Sequence, residues 1–249
     1  MAVVPVQMDS GRDADGKGNA RVMWDKGPVT QTIARRLQEM IRSGELKAGE
    51  RLPSQRMLSE QLNVSRPSLR EALLTLETLG LVQTLPARGT FVMDPATRPA
   101  QTTWRYDDAH DLREVFQTRL LIEGELARLA ASAITPDALA GLQSAATQFE
   151  QAWAQGDLVA HVDADLALHQ GIAQACPNRM LATLYSTVSQ LLTETQRQPI
   201  PNTDPDRMAQ SIAEHRAILA AMERRDPDAA QAHMRDHIRN TARCAGLQI

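Results

Sequence analysis

Asp165 and His169 place a carboxylate and an imidazole one helical turn apart inside the stretch VDADLALH. On an α-helix, apolar stripes advance by alternating steps of four and three residues. The stripe here reads Leu158, Val162, Asp165, His169, Ile172, Cys176, so both polar groups take core-facing steps. The same count gives Met208, Ile212, His215, Leu219, Met222 in a later segment and Ala230, Met234, His237, Thr241, Cys244 in the last. Each of those stripes carries one imidazole at its centre. Burying an unpaired polar group costs roughly 1–3 kcal/mol, so one carboxylate and three imidazoles on inward faces need a shared partner. A metal ion satisfies all four.

Spacing alone does not single out a ligand pair, because Asp157 and His161 repeat it. Asp157 follows Gly156 and reads better as a helix N-cap, which leaves His161 in an early turn at the edge of the stripe. His233 lies slightly off the stripe of His237 and is only a substitute ligand, and His110 is expected at the surface. Arg119 sits on the stripe Leu112, Val115, Arg119, Ile122, Leu126, Leu129, a permanent cation on an apolar face. It either pairs with Glu123 one turn on, or binds an anionic small molecule whose carboxylate also completes the metal's coordination.

These stripes belong to the rear of the chain, where helical segments are expected at about 107–133, 136–155, 157–175, 178–198, 206–224 and 227–245. Their breaks fall at Thr135-Pro136, Gly156-Asp157, Cys176-Pro177, Pro199 to Pro205 and Asp226-Pro227. Residues 107–245 thus predict an all-α domain, a bundle of six helices. The front differs. Residues 1–27 lack an apolar period and are expected to be a disordered tail. Within 28–93, Thr30 caps a first helix that stops at Gly44, Ser54 caps a short second helix, and Ser65 caps a third with Pro67 in its first turn and Gly80 as its stop. Two β-rich runs, Leu81–Leu85 and Thr90–Met93, follow as a hairpin, and residues 94–106, with Pro95 and Pro99, form a linker. The fold class is therefore mainly α, a winged helix-turn-helix followed by a helical bundle.

The net charge of −3 hides an asymmetry: residues 29–93 carry nine Lys and Arg against six Asp and Glu, and residues 94–249 fourteen against twenty. A basic front suits DNA. In a winged helix-turn-helix the third helix enters the major groove. Here that helix opens Ser65-Arg66-Pro67-Ser68-Leu69-Arg70, where guanidinium groups can read guanine in bidentate fashion and hydroxyls can meet phosphate. Arg56 and the wing tip Arg88-Gly89 are placed to clamp the flanking backbone. No run of about 18 apolar residues suggests a membrane span and no signal peptide is visible, so the chain is expected to be cytoplasmic. Cys176 and Cys244 form no CxxC pattern and are expected as buried reduced thiols.

The run PSQRMLSEQLNVSRPSLREALLTLETLGLVQTLPARGTFV resembles the DNA-binding domain of the GntR family of bacterial transcription regulators, from about Val29 to Met93. The resemblance implies DNA-contact roles for Arg56, Arg66, Ser68, Arg70, Arg88 and Gly89. Gln55 replaces a commonly acidic residue, and Pro67 replaces a common donor and cannot give a hydrogen bond. The segments RLLIEGELARLAA, DLALHQGIAQACPN, EHRAILAAMERRDPDAA and HMRDHI resemble the FCD effector domain of the FadR-type branch. That likeness assigns Asp165, His169, His215 and His237 to its metal site and implies an organic acid as effector, with Leu168 where an aromatic is usual.

The expectation is a homodimeric regulator that binds a palindromic operator and is a repressor released by a small carboxylate. That acid would bind at Zn(II), with Ni(II) or Mn(II) as other ions, beside Arg119. Two alternatives remain open at this point. One is a metal-dependent hydrolase fused to a DNA-binding module, against which stands the lack of an inward carboxylate other than Asp165. The other is a metal-free regulator with an apolar cavity for an acyl ligand.

Overall fold

A computed structural model describes residues 29–94, 104 and 110–249. The expected tail 1–27, nearly all of the expected linker 94–106 and the expected helical start at 107 lie outside the described residues. Helix α1 spans Val29–Arg42, α2 Gln55–Leu62 and α3 Arg66–Thr78, and strands β1 (Val82–Leu85) and β2 (Gly89–Val92) form an antiparallel hairpin pairing Val82 with Val92 and Leu85 with Gly89. A bridge from Arg51 to Phe91 adds a third edge to this wing. Ser54 and Ser65 cap α2 and α3 as expected, accepting from the Met57 and Ser68 amides. Thr30 does not cap α1, because the helix already includes Val29.

The rear helices are α4 (Leu112–Ala133), α5 (Pro136–Ala154), α6 (Leu158–Ala175), α7 (Arg179–Arg197), α8 (Pro205–Glu223) and α9 (Pro227–Cys244). Five of the six starts carry a proline in the first turn or an Asp cap. Asp157, Asp204 and Asp226 each accept from a backbone amide in the first turn. Helix α4 begins at Leu112, where Asp111 and Glu114 close a capping box, and His110 and Asp111 just before it are not helical. Helix α4 packs along α9, α5 along α6, and α8 along α9. Gly171 permits the α5–α6 approach, since a Cβ there would lie 2.6 Å from Leu142 Cδ2. Trp104, expected in the linker, is buried against this bundle, with Nε1 donating to the His110 carbonyl at 2.6 Å.

Two large apolar cores result, beside a small cluster of Phe149, Ala164 and Met208. One fills the bundle, around Phe116, Leu126, Leu168, Ile218 and Ile238. The other fills the front domain around Ile33, Leu37, Leu69 and Leu76 and continues into Leu158, Val159, Val162 and Leu166 of α6. Helix α6 is thus two-faced: one side turns Asp165 and His169 into the bundle and another packs on α1. Gln38, 2% exposed, locks that seam by donating to Asp157 Oδ1 at 2.6 Å and accepting from the Val159 amide at 3.1 Å. Arg35 and Asp163 add an ion pair at 2.7 Å, and Thr78 at the end of α3 donates to Glu194 of α7 at 2.8 Å. Among the described residues no helix is long and apolar enough to cross a membrane.

Candidate metal and effector site

Helices α6, α8 and α9 bring Asp165, His169, His215 and His237 together, each buried, with one donor atom apiece within 4.8 Å of the others. Asp165 Oδ1 lies 3.3 Å from His215 Nε2 and 3.7 Å from His169 Nε2. Donors about 2.1 Å from a cation sit about 3.0–3.4 Å apart at neighbouring positions and about 4.2 Å apart when opposed. The two Asp165 separations, 3.3 and 3.7 Å, lie within the span of that scale. Asp165 Oδ1, His169 Nε2 and His215 Nε2 are all buried without a hydrogen-bond partner. Three orphaned donors facing one point fit a divalent cation and are costly without one.

The other ring nitrogens explain why two of these imidazoles point inward. His169 Nδ1 meets Glu123 Oε2 at 2.5 Å, and His237 Nδ1 meets Glu214 Oε2 at 2.9 Å. A carboxylate behind a histidine fixes the tautomer and turns the opposite lone pair toward the metal position. Burial alone would raise the Glu123 carboxyl, but Arg119 and His169 outweigh it and hold it down to about 2. Glu214 is also lowered against its burial, by His237, Arg207 and Asn240. Burial, then mutual repulsion among the imidazoles, pushes His215 well below its ordinary value. Burial lowers His237 too, despite Glu214. Neutral imidazole is the form that binds metal.

Arg119 makes the ion pair with Glu123 that its position allowed and keeps one terminal nitrogen unpaired. Its Nε donates to Glu123 Oε1 at 2.6 Å and one terminal nitrogen to Thr195 Oγ1 at 3.1 Å, while the other, Nη2, is buried without a partner. The residue is fully buried, yet it lines a cavity of about 40 Å³ shared with Asp165, His161, His237, Gln196 and Arg207. At ~10–15 Å³ per water-sized group, this space holds about three such groups. A second cavity of about 260 Å³, lined by Phe149, Ile212, His215 and Leu219 among others, shares Phe149 with it.

Several expectations are corrected. His161 is not at the stripe's edge: it is 1% exposed, stacked on Phe149 at 3.9 Å, and part of the cavity wall. Helix α6 is covered by α5 as well as by α1, so its first turns are enclosed on more than one side. Asp165 is not the only inward carboxylate, because Glu123 and Glu214 reach the same centre from behind. Both are spent on Arg and His partners, so neither is free to act as a base on a substrate. Cys244 is half-buried and lines the cavity, and only Cys176 is buried. His233 is not part of the four-donor group, and His110 is exposed as expected.

At the front, Arg66, Arg70 and Arg88 are exposed and Ser68 is half-buried at the start of α3. The Ser65 and Ser68 hydroxyls share one hydrogen bond of 2.8 Å, which uses one hydrogen and leaves the other to give. Arg56 is exposed and meets Glu60 at 3.0 Å, a solvated pair worth little and easily surrendered to phosphate. Gly89 has φ +105°, a conformation that favours glycine, and a Cβ there would sit 2.6 Å from Arg51 Nε and displace that side chain.

Residues 29–92 match the family described as "Bacterial regulatory proteins, gntR family", and residues 114–240 match "FCD domain". The chain belongs to the GntR family of bacterial transcription regulators. Within it, the chain is 30% identical over 234 residues to the Glc operon transcriptional activator of Escherichia coli K12, covering 86% of this chain and 88% of that one. It is 32% identical over 211 residues to the transcriptional regulator LutR of Bacillus subtilis, covering 81% and 94%. It is 29% identical over 239 residues to the transcriptional repressor NanR of Cronobacter sakazakii, covering 93% and 91%. The front of this GntR chain is thus a DNA-binding winged helix-turn-helix, and its rear an FCD effector domain rather than an enzyme. Its relatives include an activator and a repressor. Sequence patterning found the four donors and Arg119. It named Glu123 only as a partner for Arg119 and missed its place behind His169, and it missed Glu214, whose only signal was its position one residue before His215.

Proposed function

We propose that this GntR regulator senses a small carboxylic acid at a divalent cation, Zn(II) in the first instance and Ni(II) or Mn(II) as alternatives, held by Asp165, His169, His215 and His237. The observation that carries the reading is the set of unpartnered buried donors from α6 and α8 beside the unpartnered Arg119 Nη2. Three imidazoles suit the later divalent metals. One oxygen and three nitrogens leave coordination open, and a bound cation would supply charge to attract a carboxylate there. Arg119 Nη2 then donates to that carboxylate, and Glu123 keeps Arg119 and His169 aimed.

Helix α6 carries the signal, because it holds Asp165 and His169 on one side and the α1 seam on another. An acid that binds one arrangement of that seam better than the other shifts the spacing of the recognition helices. Arg66, Ser68 and Arg70 read the operator, with Arg56, Arg88 and Gly89 on its backbone. The protein acts in the cytoplasm as a homodimer on a palindrome, a repressor released by the acid. Exposed Leu121, Met180 and Leu184, 68%, 73% and 47% accessible on α4 and α7, favour a partner surface there. His215→Ala is expected to lose the metal and most of the acid response while still binding operator DNA. Elemental analysis with gel shifts across a panel of acids reads both, and equal metal content in variant and wild type overturns the ligand set.

A further inference from the structure

The cavity beside the four donors contains a fifth group with nothing to bind. His161 lies one turn before Asp165 on α6. Its Nδ1 is 2.9 Å from the Phe149 carbonyl oxygen, and its ring stacks on Phe149 at 3.9 Å and faces Trp153 at 5.4 Å. A carbonyl can only accept, so Nδ1 carries the hydrogen. Burial pushes the ring's proton affinity down and keeps it neutral, although the Phe149 carbonyl and Asp165 oppose that shift. Nε2 therefore presents a bare lone pair, and no described residue hydrogen-bonds to it.

None of the described side chains on this wall, Ser211 and Arg119 included, donates to Nε2. Thr203 and Thr241, which share the cavity wall, spend their hydroxyl hydrogens on the carbonyls of Pro199 and His237. Arg207 is turned to Glu214, and Arg119 is held by Glu123 through Nε, with Nη2 left for the acid's carboxylate. A second acceptor, Gln196 Oε1, is also buried on this wall without a partner. Its amide can be flipped and decides nothing alone. His161 cannot be flipped, because Phe149 pins it.

A lone pair at this place repels a carboxylate or keto oxygen and attracts an O–H. We infer that His161 Nε2 accepts a hydrogen bond from a hydroxyl of the effector and so selects a hydroxy acid over its deoxy or keto counterpart. The carboxylate goes to the cation and Arg119 Nη2, and the hydroxyl goes to His161. The inference deepens the acid-sensing reading and rests on it. A site built around an acceptor disfavours a ligand lacking the matching donor, since both partners then stay unpaired.

The test compares zinc-loaded full-length wild type, His161→Phe and His161→Gln by calorimetric titration with two pairs of probes, malate against succinate and lactate against propionate. His161→Phe keeps the ring on Phe149 and removes the lone pair, and His161→Gln retains an acceptor. The hydroxy-over-deoxy preference is expected to fall about tenfold in His161→Phe and to be largely kept in His161→Gln. An unchanged ratio in His161→Phe, or equal weakening of both members of a pair, overturns the role of His161 alone. Failure of every acid to bind overturns the acid-sensing reading and this inference with it. A readout on wild type needs no variant: nitrogen-detected imidazole NMR should show His161 as the Nδ1–H tautomer, and the Nε2–H tautomer sinks the proposal.

Discussion

Glu123→Gln removes one negative charge on which two groups depend. The carboxylate is 3% exposed, 2.6 Å from Arg119 Nε and 2.5 Å from His169 Nδ1. Its pKa is held at about 2 against an ordinary 4.5. That depression corresponds to about 3 kcal/mol, which agrees with the ~3–5 kcal/mol expected when one half of a buried ion pair is removed. Because the folded value is the lower one, this stability is complete above about 4.5 and fades as pH falls toward 2. Metal-free Glu123→Gln is therefore expected to melt about 6–12 °C below metal-free wild type at pH 7. The gap should shrink at pH 3.5. Glutamine cannot hold His169 as strongly, so zinc affinity should drop about 10- to 100-fold. Thermal melts at the two pH values and competition titration against a zinc chelator measure these effects. A variant that melts within 2 °C of wild type at pH 7 and binds zinc equally would refute the account of Glu123 as counter-charge and orienting group.

Three other outcomes follow from the same geometry. Arg70→Ala should weaken operator binding and, if the contact is to phosphate, lower the salt slope of log K by about one, whereas a base contact would relax specificity at one position at a cost of about 1–3 kcal/mol; binding isotherms across salt and operator variants separate the two. Gln38→Leu strips the partners from Asp157 and the Val159 amide and should cost about 1–3 kcal/mol, while operator binding persists and its response to acid is blunted; denaturant melts and gel shifts with and without acid check this. Gly89→Ala forces a side chain into φ +105° against Arg51 and should lose about 1 kcal/mol or more, read as a lower denaturation midpoint with weakened DNA binding.

Much of the site was legible in the sequence because helical periodicity is a local property. Asp165, His169, His215 and His237 each stand where an apolar residue would complete a stripe, and the caps at Ser54, Ser65 and Asp157 mark element starts by short-range bonding alone. The start of α4 coincides with the first residue of its apolar stripe, Leu112, and the capping box of Asp111 and Glu114 fixes it there. His161 was misread because an N-cap defines where a helix begins but not which way its first turn faces.

The sequence by itself determined the two-part organisation, the basic recognition helix and the four donors, since each is written in residue types at fixed spacing along one element. Only the tertiary structure decided which helices meet. It set Glu123 of α4 behind His169 of α6, and Glu214 of α8 behind His237 of α9, in pairings 46 and 23 residues apart. It also left Arg119 Nη2 without a partner and put the α1 seam on the helix that carries half of the donors. No spacing rule reaches across such distances, because contacts between elements follow from the packing of whole faces and not from the period of any one of them.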